Sequence, residues 1–224
     1  MRYVNRLFVC VFIGLTAFGA FGQDLSEVNL KSTQLSETVY FIEPVPGLAG
    51  NLAVSVGEDG ILLVDDQMMP LSSKIEAAVA GIQSGPIDFL INTHYHYDHA
   101  GGNAAFGDIS TLVAHANVRK RLAEGREAGA RFIEGKRPRQ ALPVITFKQS
   151  VTLHWNGEDV DVIHFPSPSH TDGDSVIYFR RSNVLHTGDQ YVNLSGFPYI
   201  DRDVGGSATG LRDNVEAMLE MIDE

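Results

Sequence analysis

The segment from Ile91 to Asn103 constrains this chain more than any other part of its sequence. It reads Ile-Asn-Thr-His-Tyr-His-Tyr-Asp-His-Ala-Gly-Gly-Asn, and four potential metal ligands fall within six positions: His94, His96, Asp98 and His99. Imidazole nitrogens and carboxylate oxygens are ligands that suit zinc. Because histidine is uncommon in average composition, such a cluster favours a metal site over separate packing or surface roles.

The spacing of these ligands indicates how they can be shared between ions. The apolar run 87–91 directly before them predicts a short buried strand. Side chains two positions apart in an extended segment point to the same side, so His94 and His96 can bind one ion together. The glycine pair that ends the segment allows a sharp turn, which can direct Asp98 and His99 toward a second ion. We therefore expect two metals side by side.

Residues 93–102 resemble the metal-binding signature of the metallo-β-lactamase superfamily, His-x-His-x-Asp-His, and contain it complete. The resemblance extends over essentially all of residues 35–224. The alternation of strand runs and helices along the chain also resembles that family. It implies the family's α/β fold, an αβ/βα sandwich in which two β-sheets lie between outer helices. The metals would then lie at one edge of the sandwich, held by loops.

Two elements further along the chain resemble other parts of the family's site. His170 leaves a Pro- and Ser-rich loop and resembles the family's Gly/Ser-His-Thr element, which implies a third imidazole for the first metal. Gly188-Asp189 resembles the Gly-Asp element, in which the carboxylate bridges two metals. The resemblance therefore implies a first zinc on His94, His96 and His170, a second on Asp98 and His99, and Asp189 between them.

Other polar residues have less certain roles in the sequence. Asp65 ends a strand-like run and is either a hydrogen-bond acceptor for a ligating histidine or a plain strand-end carboxylate. Thr171 can support His170 in the same indirect way. Tyr191, Phe197 and Tyr199 follow the bridging aspartate and either line a substrate pocket or belong to a surface loop. His154 and His164 are expected to be structural or surface residues, and His186 is expected either to pack or to support a ligand indirectly.

The N-terminus predicts a secreted protein. Residues 1–22 combine a basic start, an apolar stretch and small residues, which is typical of a signal peptide cleaved near Gly22. The mature domain, residues 23–224, then has no cysteine, because the single cysteine is Cys10. Every metal ligand must therefore be His, Asp or Glu, and the expected location is periplasmic or secreted.

Charge and local composition limit the kinds of molecule that this protein is expected to bind. The formal charge of −11 makes nucleic acid a poor partner, and we expect a small-molecule substrate and no membrane contact after signal cleavage. Residues 117–143 are locally basic. This segment is either a mobile flap that attracts an anionic substrate or, as we favour, a solvated helix and loop. Its basic residues are Arg119, Lys120, Arg121, Arg126, Arg131, Lys136, Arg137 and Arg139.

The apolar stripe 211–222 predicts a last helix, and no Gly-His element follows it. Since that element carries the family's last ligand of the second metal, the resemblance implies a sequence that is incomplete at its C-terminus.

The resemblance implies a zinc-dependent hydrolase. In such an enzyme a metal-bound hydroxide attacks an acyl carbonyl of a β-lactam, lactone or thioester, and Asp98 would orient the hydroxide as the catalytic carboxylate. Two alternatives stay open at this point. One is a mononuclear-iron oxidoreductase of the same fold that resembles persulfide dioxygenases, and the other is a non-catalytic zinc-binding protein.

Overall fold

The computed structural model of the protein describes residues 25–47, 50–126, 135–193 and 197–222. In these residues two β-sheets pack face to face in an αβ/βα sandwich, as predicted. The predicted signal peptide, residues 1–22, lies outside the described ranges. Within those ranges, no helix is long and apolar enough to cross a bilayer.

The first sheet has seven strands, and their order in the sheet is their order in the chain: β1 (Asn29–Gln34), β2 (Val39–Val45), β3 (Leu52–Gly57), β4 (Gly60–Val64), β5 (Ile87–Asn92), β6 (Thr111–His115) and β7 (Ile145–Phe147). Strands β1 to β4 pair antiparallel. Strands β4 to β7 pair parallel.

The second sheet is antiparallel and has four strands: β8 (Ser150–Trp155), β9 (Glu158–Ile163), β10 (Val176–Phe179) and β11 (Val184–His186). The α-helices of the described residues are α1 (Ser72–Ala80), α2 (Tyr97–Ala100), α3 (Asn103–Phe106), α4 (Ala116–Glu124) and α5 (Ala208–Leu219). Four short 3₁₀ turns cover Met69–Leu71, Arg139–Ala141, Gly188–Gln190 and Arg202–Val204.

The central strands of the first sheet are buried on both faces, which explains their continuous apolar runs. Val64 and Ile91 point inward and pack with Val162 and other side chains of the second sheet. Leu63 and its neighbours point outward and pack under α1, where Ile75 is fully buried. Burying each such side chain contributes about 1.5–3 kcal/mol.

Most of the predicted elements are confirmed, with small differences at their ends. The apolar stripe of Ile75, Ala78, Val79 and Ile82 predicts a helix over 70–82, and the structure has this helix as α1, preceded by a 3₁₀ turn that contains Pro70. The pair Asn156-Gly157 between two apolar runs predicts a β-hairpin. In the structure it joins β8 and β9, and the positive φ angles of 51° and 75° are those of a two-residue type I′ turn. Strand β1 was not predicted, because its residues are mostly exposed and lack apolar alternation.

The topology brings loops from both sheets to one edge of the sandwich. The carboxyl ends of the parallel strands β4 and β5 lie side by side there, with Val64 paired to Ile91. In the second sheet, the carboxyl ends of β9 and β11 both pair with the start of β10, so the β9–β10 connection and the turn after β11 leave the sheet on the same side. Each segment with predicted ligands therefore emerges near this edge.

Candidate metal centre

Three of the predicted histidines converge in one buried cluster. His94 and His96 come from the loop after β5, and His170 comes from the β9–β10 connection, 74 positions beyond His96. His94 Nε2 lies 3.1 Å from His96 Nδ1, and His170 Nε2 lies 2.9 Å from the same atom. Nitrogens bound to one tetrahedral zinc are about 3.3 Å apart. The three ring nitrogens are therefore spaced for a common ion.

The outer nitrogen of each of these rings has its own hydrogen-bond partner. The Nδ1 atom of His94 lies 3.0 Å from the Thr93 hydroxyl. His96 Nε2 donates to a carboxylate oxygen of Asp201 at 2.9 Å, and His170 Nδ1 donates to the carbonyl of Tyr199 at 2.7 Å. Such outer contacts fix the tautomer and ring orientation of metal-binding histidines. They leave the inner nitrogens of His96 and His170 as acceptors.

A second group shares His94 with the first. His94, His99 and Asp189 each offer a ligand atom within 4.8 Å of the other two. His99 Nε2 lies 3.0 Å from one oxygen of Asp189, and the other oxygen lies 3.7 Å from His170 Nε2. The carboxylate of Asp189 thus lies between the two groups, where the sequence predicted a bridging group.

Asp98 lies beside the second group rather than within it. Its Oδ2 atom is 3.7 Å from His99 Nε2, and its side chain is 37% exposed. The residue is in the first turn of the short helix α2, whereas His99 points into the protein and is only 2% exposed. Of the predicted ligands, Asp98 is therefore the one most open to solvent and to a bound molecule.

Asp65 takes the first of the two roles that the sequence left open. Its buried carboxylate accepts hydrogen bonds from the Thr93 amide, the Thr93 hydroxyl and His99 Nδ1, each at 2.7 Å. The φ angle of Asp65 is 61°, a backbone conformation that few non-glycine residues adopt. Asp65 therefore holds both the start of the histidine loop and the ring of His99.

Thr171 supports the loop of His170 rather than its ring. The hydroxyls of Ser169 and Thr171 both donate to Asp174, at 2.6 and 2.5 Å. Ser169 also lies 2.8 Å from Gln190, next to Asp189, and Asn214 of α5 donates to the same oxygen of Gln190. A buried polar network therefore joins the two loops of the second sheet that carry His170 and Asp189.

The electrostatics of the cluster suit a cation. Burial, reinforced by the neighbouring histidines, holds the pKa of His94 well below its usual value, so this ring is a neutral ligand at pH 7. Burial opposes the charged forms of His99 and Asp189, but their mutual attraction outweighs it. The pKa of His99 is raised and that of Asp189 lowered.

The donor set fits a metal of the zinc type. Neutral imidazoles and carboxylates bind zinc and related first-row metals. His99 Nε2 is buried without a well-formed hydrogen bond, although the carboxylate of Asp189 lies near it. Together with the converging nitrogens of the first group, this atom marks a position where a bound ion would supply the missing contact.

Sequence reasoning missed Asp201 and assigned Arg126 to a different role. The buried Asp201 accepts from His96, and Arg126 forms an ion pair with Asp201 in which its own side chain is only 4% exposed. Arg121 of the same predicted basic segment pairs with Asp172 at 2.7 Å. These two arginines are neutralised by carboxylates, which favours the helix-and-loop interpretation for this part of residues 117–143.

Of the predicted aromatic residues, Tyr199 alone contacts the histidines in the described residues. Its ring centroid lies 5.8 Å from that of His170 and 6.3 Å from that of His96. Tyr191 and Phe197 are largely exposed.

The four remaining histidines have local partners: His115, His154, His164 and His186. His154 is paired with Asp159 on the surface, and His164 stacks on His115. His186 lies between the carbonyl of Asn51 and the amide of Gly188.

Sequence comparison assigns the family. The profile of the metallo-β-lactamase superfamily matches residues 46–221, so the chain belongs to this superfamily, whose members bind metal and are mostly hydrolases.

Two individual relatives match part of the chain. A hydroxyacylglutathione hydrolase of Pelagibacter ubique is 30% identical over 108 residues, which cover 48% of this chain and 38% of that protein. The α subunit of a 2,4-dinitroanisole O-demethylase of a Nocardioides species is 26% identical over 154 residues, 64% of this chain and 41% of that protein. This chain thus matches less than half the length of either relative.

Solved structures share the fold. The metallo-β-lactamase from Pontibacter korlensis superimposes with a TM-score of 0.68 at 16% identity and covers 86% of each chain. The native FEZ-1 metallo-β-lactamase from Legionella gormanii gives a TM-score of 0.67 at 12% identity and covers 87% of this chain and 77% of that one. At these identities the likeness concerns the fold alone.

Proposed function

We propose that the protein is a secreted or periplasmic zinc-dependent hydrolase of small acyl compounds. The observation that carries this proposal is the convergence of histidines and carboxylates from both sheets at one edge of the sandwich. His94, His96 and His170 would hold the first zinc. Asp98 and His99 would hold the second, and Asp189 would be shared by both.

Each part of the centre has a distinct task in this proposal. Bound zinc would supply a Lewis acid and lower the pKa of a water molecule to about 7. Asp98, whose carboxylate is the most exposed of the predicted ligands, would orient the attacking water. The buried contacts of Asp65 and Asp201 would hold the imidazoles in place, so that the site does not have to reorganise during the reaction.

The substrate class rests on several weaker observations. The hydroxyacylglutathione hydrolase relative is named for a thioester substrate, and the structural neighbours are named β-lactamases. We propose a carbonyl substrate of the β-lactam, lactone or thioester type. The acidic composition argues against nucleic acid, and residues 1–22 support export, after which the mature protein would have no membrane contact.

The test combines metal analysis with a substrate panel. Purified protein is analysed for zinc and iron per chain and assayed with nitrocefin, a lactone and a thioester. We expect zinc to be the main metal and at least one substrate to be hydrolysed. A chelator should abolish the activity, and added zinc should restore it. Bound iron with no hydrolysis would favour the oxidoreductase alternative, and bound zinc without turnover would favour a non-catalytic zinc-binding protein.

A further inference from the structure

Asp201 joins three segments of the chain at one buried carboxylate. Its Oδ2 atom accepts from Tyr95 Oη at 2.9 Å, from His96 Nε2 at 2.9 Å and from Arg126 Nη1 at 3.0 Å. Its Oδ1 atom accepts from Arg126 Nη2 at 3.3 Å. The side chain of Asp201 is completely buried. A buried carboxylate is stable only when it is paired and hydrogen-bonded, and these four contacts provide that.

This carboxylate determines which nitrogen of His96 faces the cluster. A carboxylate only accepts hydrogen bonds, so the proton of the neutral His96 ring must lie on Nε2. The lone pair is then on Nδ1, the atom that lies within about 3 Å of the inner nitrogens of both His94 and His170. Asp201 therefore holds His96 in the tautomer that a metal ion needs.

Arg126 pairs with the buried carboxylate of Asp201 and fixes its position. Gly125, with a φ angle of 70°, ends α4 and lets the chain turn so that Arg126 reaches inward. The guanidinium spans both oxygens of Asp201, which a lysine ammonium does not do with the same geometry. A second contact, 3.1 Å from Arg126 Nη2 to Asp203, holds the arginine in place.

We propose that Arg126 is a positioning residue for the first metal, acting through Asp201 on His96. This inference rests on the proposed metal site but not on the hydrolytic reaction. The proposal gives Arg126, at the end of α4, a role in metal affinity. The sequence alone had indicated that residues 117–143 either attract an anionic substrate or form a solvated surface.

The test measures zinc affinity rather than activity. Full-length Arg126→Met and Arg126→Lys are compared with wild type by competition against a chromogenic chelator. Cobalt-loaded protein then reports the ligand field of the first site through its visible absorption. The matched control is Arg121→Met, because Arg121 lies on α4 and also pairs with a carboxylate, Asp172. Thermal unfolding of each metal-free variant measures any loss of fold stability.

We expect Arg126→Met to bind the first zinc about tenfold more weakly and to change the cobalt spectrum, as losses of outer contacts do. Arg126→Lys should recover part of the affinity, and Arg121→Met should bind zinc as the wild type does. Wild-type affinity in Arg126→Met, or an equal loss in Arg121→Met, would overturn the role of Arg126 while leaving the metal site intact. A wild-type protein that binds no zinc would overturn both this inference and the proposed function.

Discussion

The two halves of the metal centre differ in how firmly their ligands are held. In the first half, three buried imidazoles each have an outer partner: Thr93 for His94, Asp201 for His96 and the Tyr199 carbonyl for His170. In the second half, His99 is equally buried, but the side chains of Asp98 and Asp189 are 37% and 29% exposed. The first half is a prearranged set of buried imidazoles, whereas the second depends on carboxylates that solvent can reach.

This difference indicates a division of work between the two halves. Prearranged buried ligands lose little conformational freedom on binding, so we expect the first half to bind its ion more tightly. Exposed carboxylates can move and can be reached by water and by a bound molecule, which suits the side of the centre where a substrate would enter. The same reasoning predicts that loss of a ligand from the first half prevents binding of both ions, whereas loss of a ligand from the second half leaves one ion bound.

The largest effect is expected for His96→Ala, which breaks the first half. This change removes the nitrogen around which His94 and His170 are arranged, so loss of activity should exceed about 100-fold, the upper range for outer contacts. Zinc per chain should fall together with the activity. The matched control is His154→Ala, because His154 lies on an exposed hairpin with its side chain 82% exposed. Full activity in His96→Ala would contradict the assignment of the first half.

Asp189→Asn should break the second half while sparing the first. The change removes the charge that lies 3.0 Å from His99 Nε2. We expect the second zinc to be lost while the three imidazoles keep the first, and activity to fall by about 100-fold, the upper range for outer contacts, because Asp189 would itself be a ligand. The measurement is zinc per chain beside turnover. Loss of both ions together would show that the two halves bind as one unit.

Asp65→Asn tests the same difference between the two halves and should change metal affinity less than the two preceding variants. An amide keeps the size of the side chain but weakens the hydrogen bonds to Thr93 and His99, because the charge is removed. We expect about a tenfold loss of affinity for the second zinc and less for the first. Chelator titrations that resolve the two ions provide the measurement. An equal loss at both ions would argue that Asp65 acts on the shared loop rather than on His99.

The smallest expected effect is on the folding stability of the sandwich that carries both halves of the centre. Burial, and then the stacked His164, lower the pKa of His115 from 6.5 to about 4. Between those pH values the unfolded chain binds a proton that the native His115 does not. Stability should therefore fall as the pH drops from 6.5 toward 4, with a contribution of roughly 1–3 kcal/mol.

His115→Asn is the variant that tests this pH effect. Asparagine can still accept from the Asn117 amide as the N-cap of α4, but it does not titrate. Urea unfolding of metal-free protein at several pH values should give a flatter pH profile for this variant than for wild type. His154→Asn serves as an exposed control. Identical slopes for His115→Asn and wild type would exclude the His115 contribution.

The parts of the centre that the sequence predicted are those encoded in short segments. His94, His96 and His99 follow directly from the alternation of a strand that runs into a turn. His170 and Asp189 needed the family resemblance, because neither has a neighbouring ligand in the chain. The two-residue turn at Asn156-Gly157 was predictable for the same local reason, since its backbone conformation favours these residue types.

The parts that the sequence could not predict depend on long-range contacts. Asp201 reaches His96 across 105 positions, and nothing in the surrounding residues marks it as different from a surface carboxylate. Arg126 looked like one cation among several in a basic segment, and its burial follows only from the position of Asp201. Strand β1 is held by pairing with β2 rather than by apolar alternation, so its polar sequence gave no signal.

The sharing of ligands between the two sheets gives the protein a reversible cross-link. His94, His96 and His99 extend from the first sheet, and His170 and Asp189 extend from the second, in a chain whose single cysteine is Cys10. An ion held from both sides stabilises the native state by about 2.7 kcal/mol when its free concentration is 100 times the dissociation constant. In the proposed exported protein, metal availability would then set how long the sandwich stays folded, in the role that disulfides have in many secreted proteins.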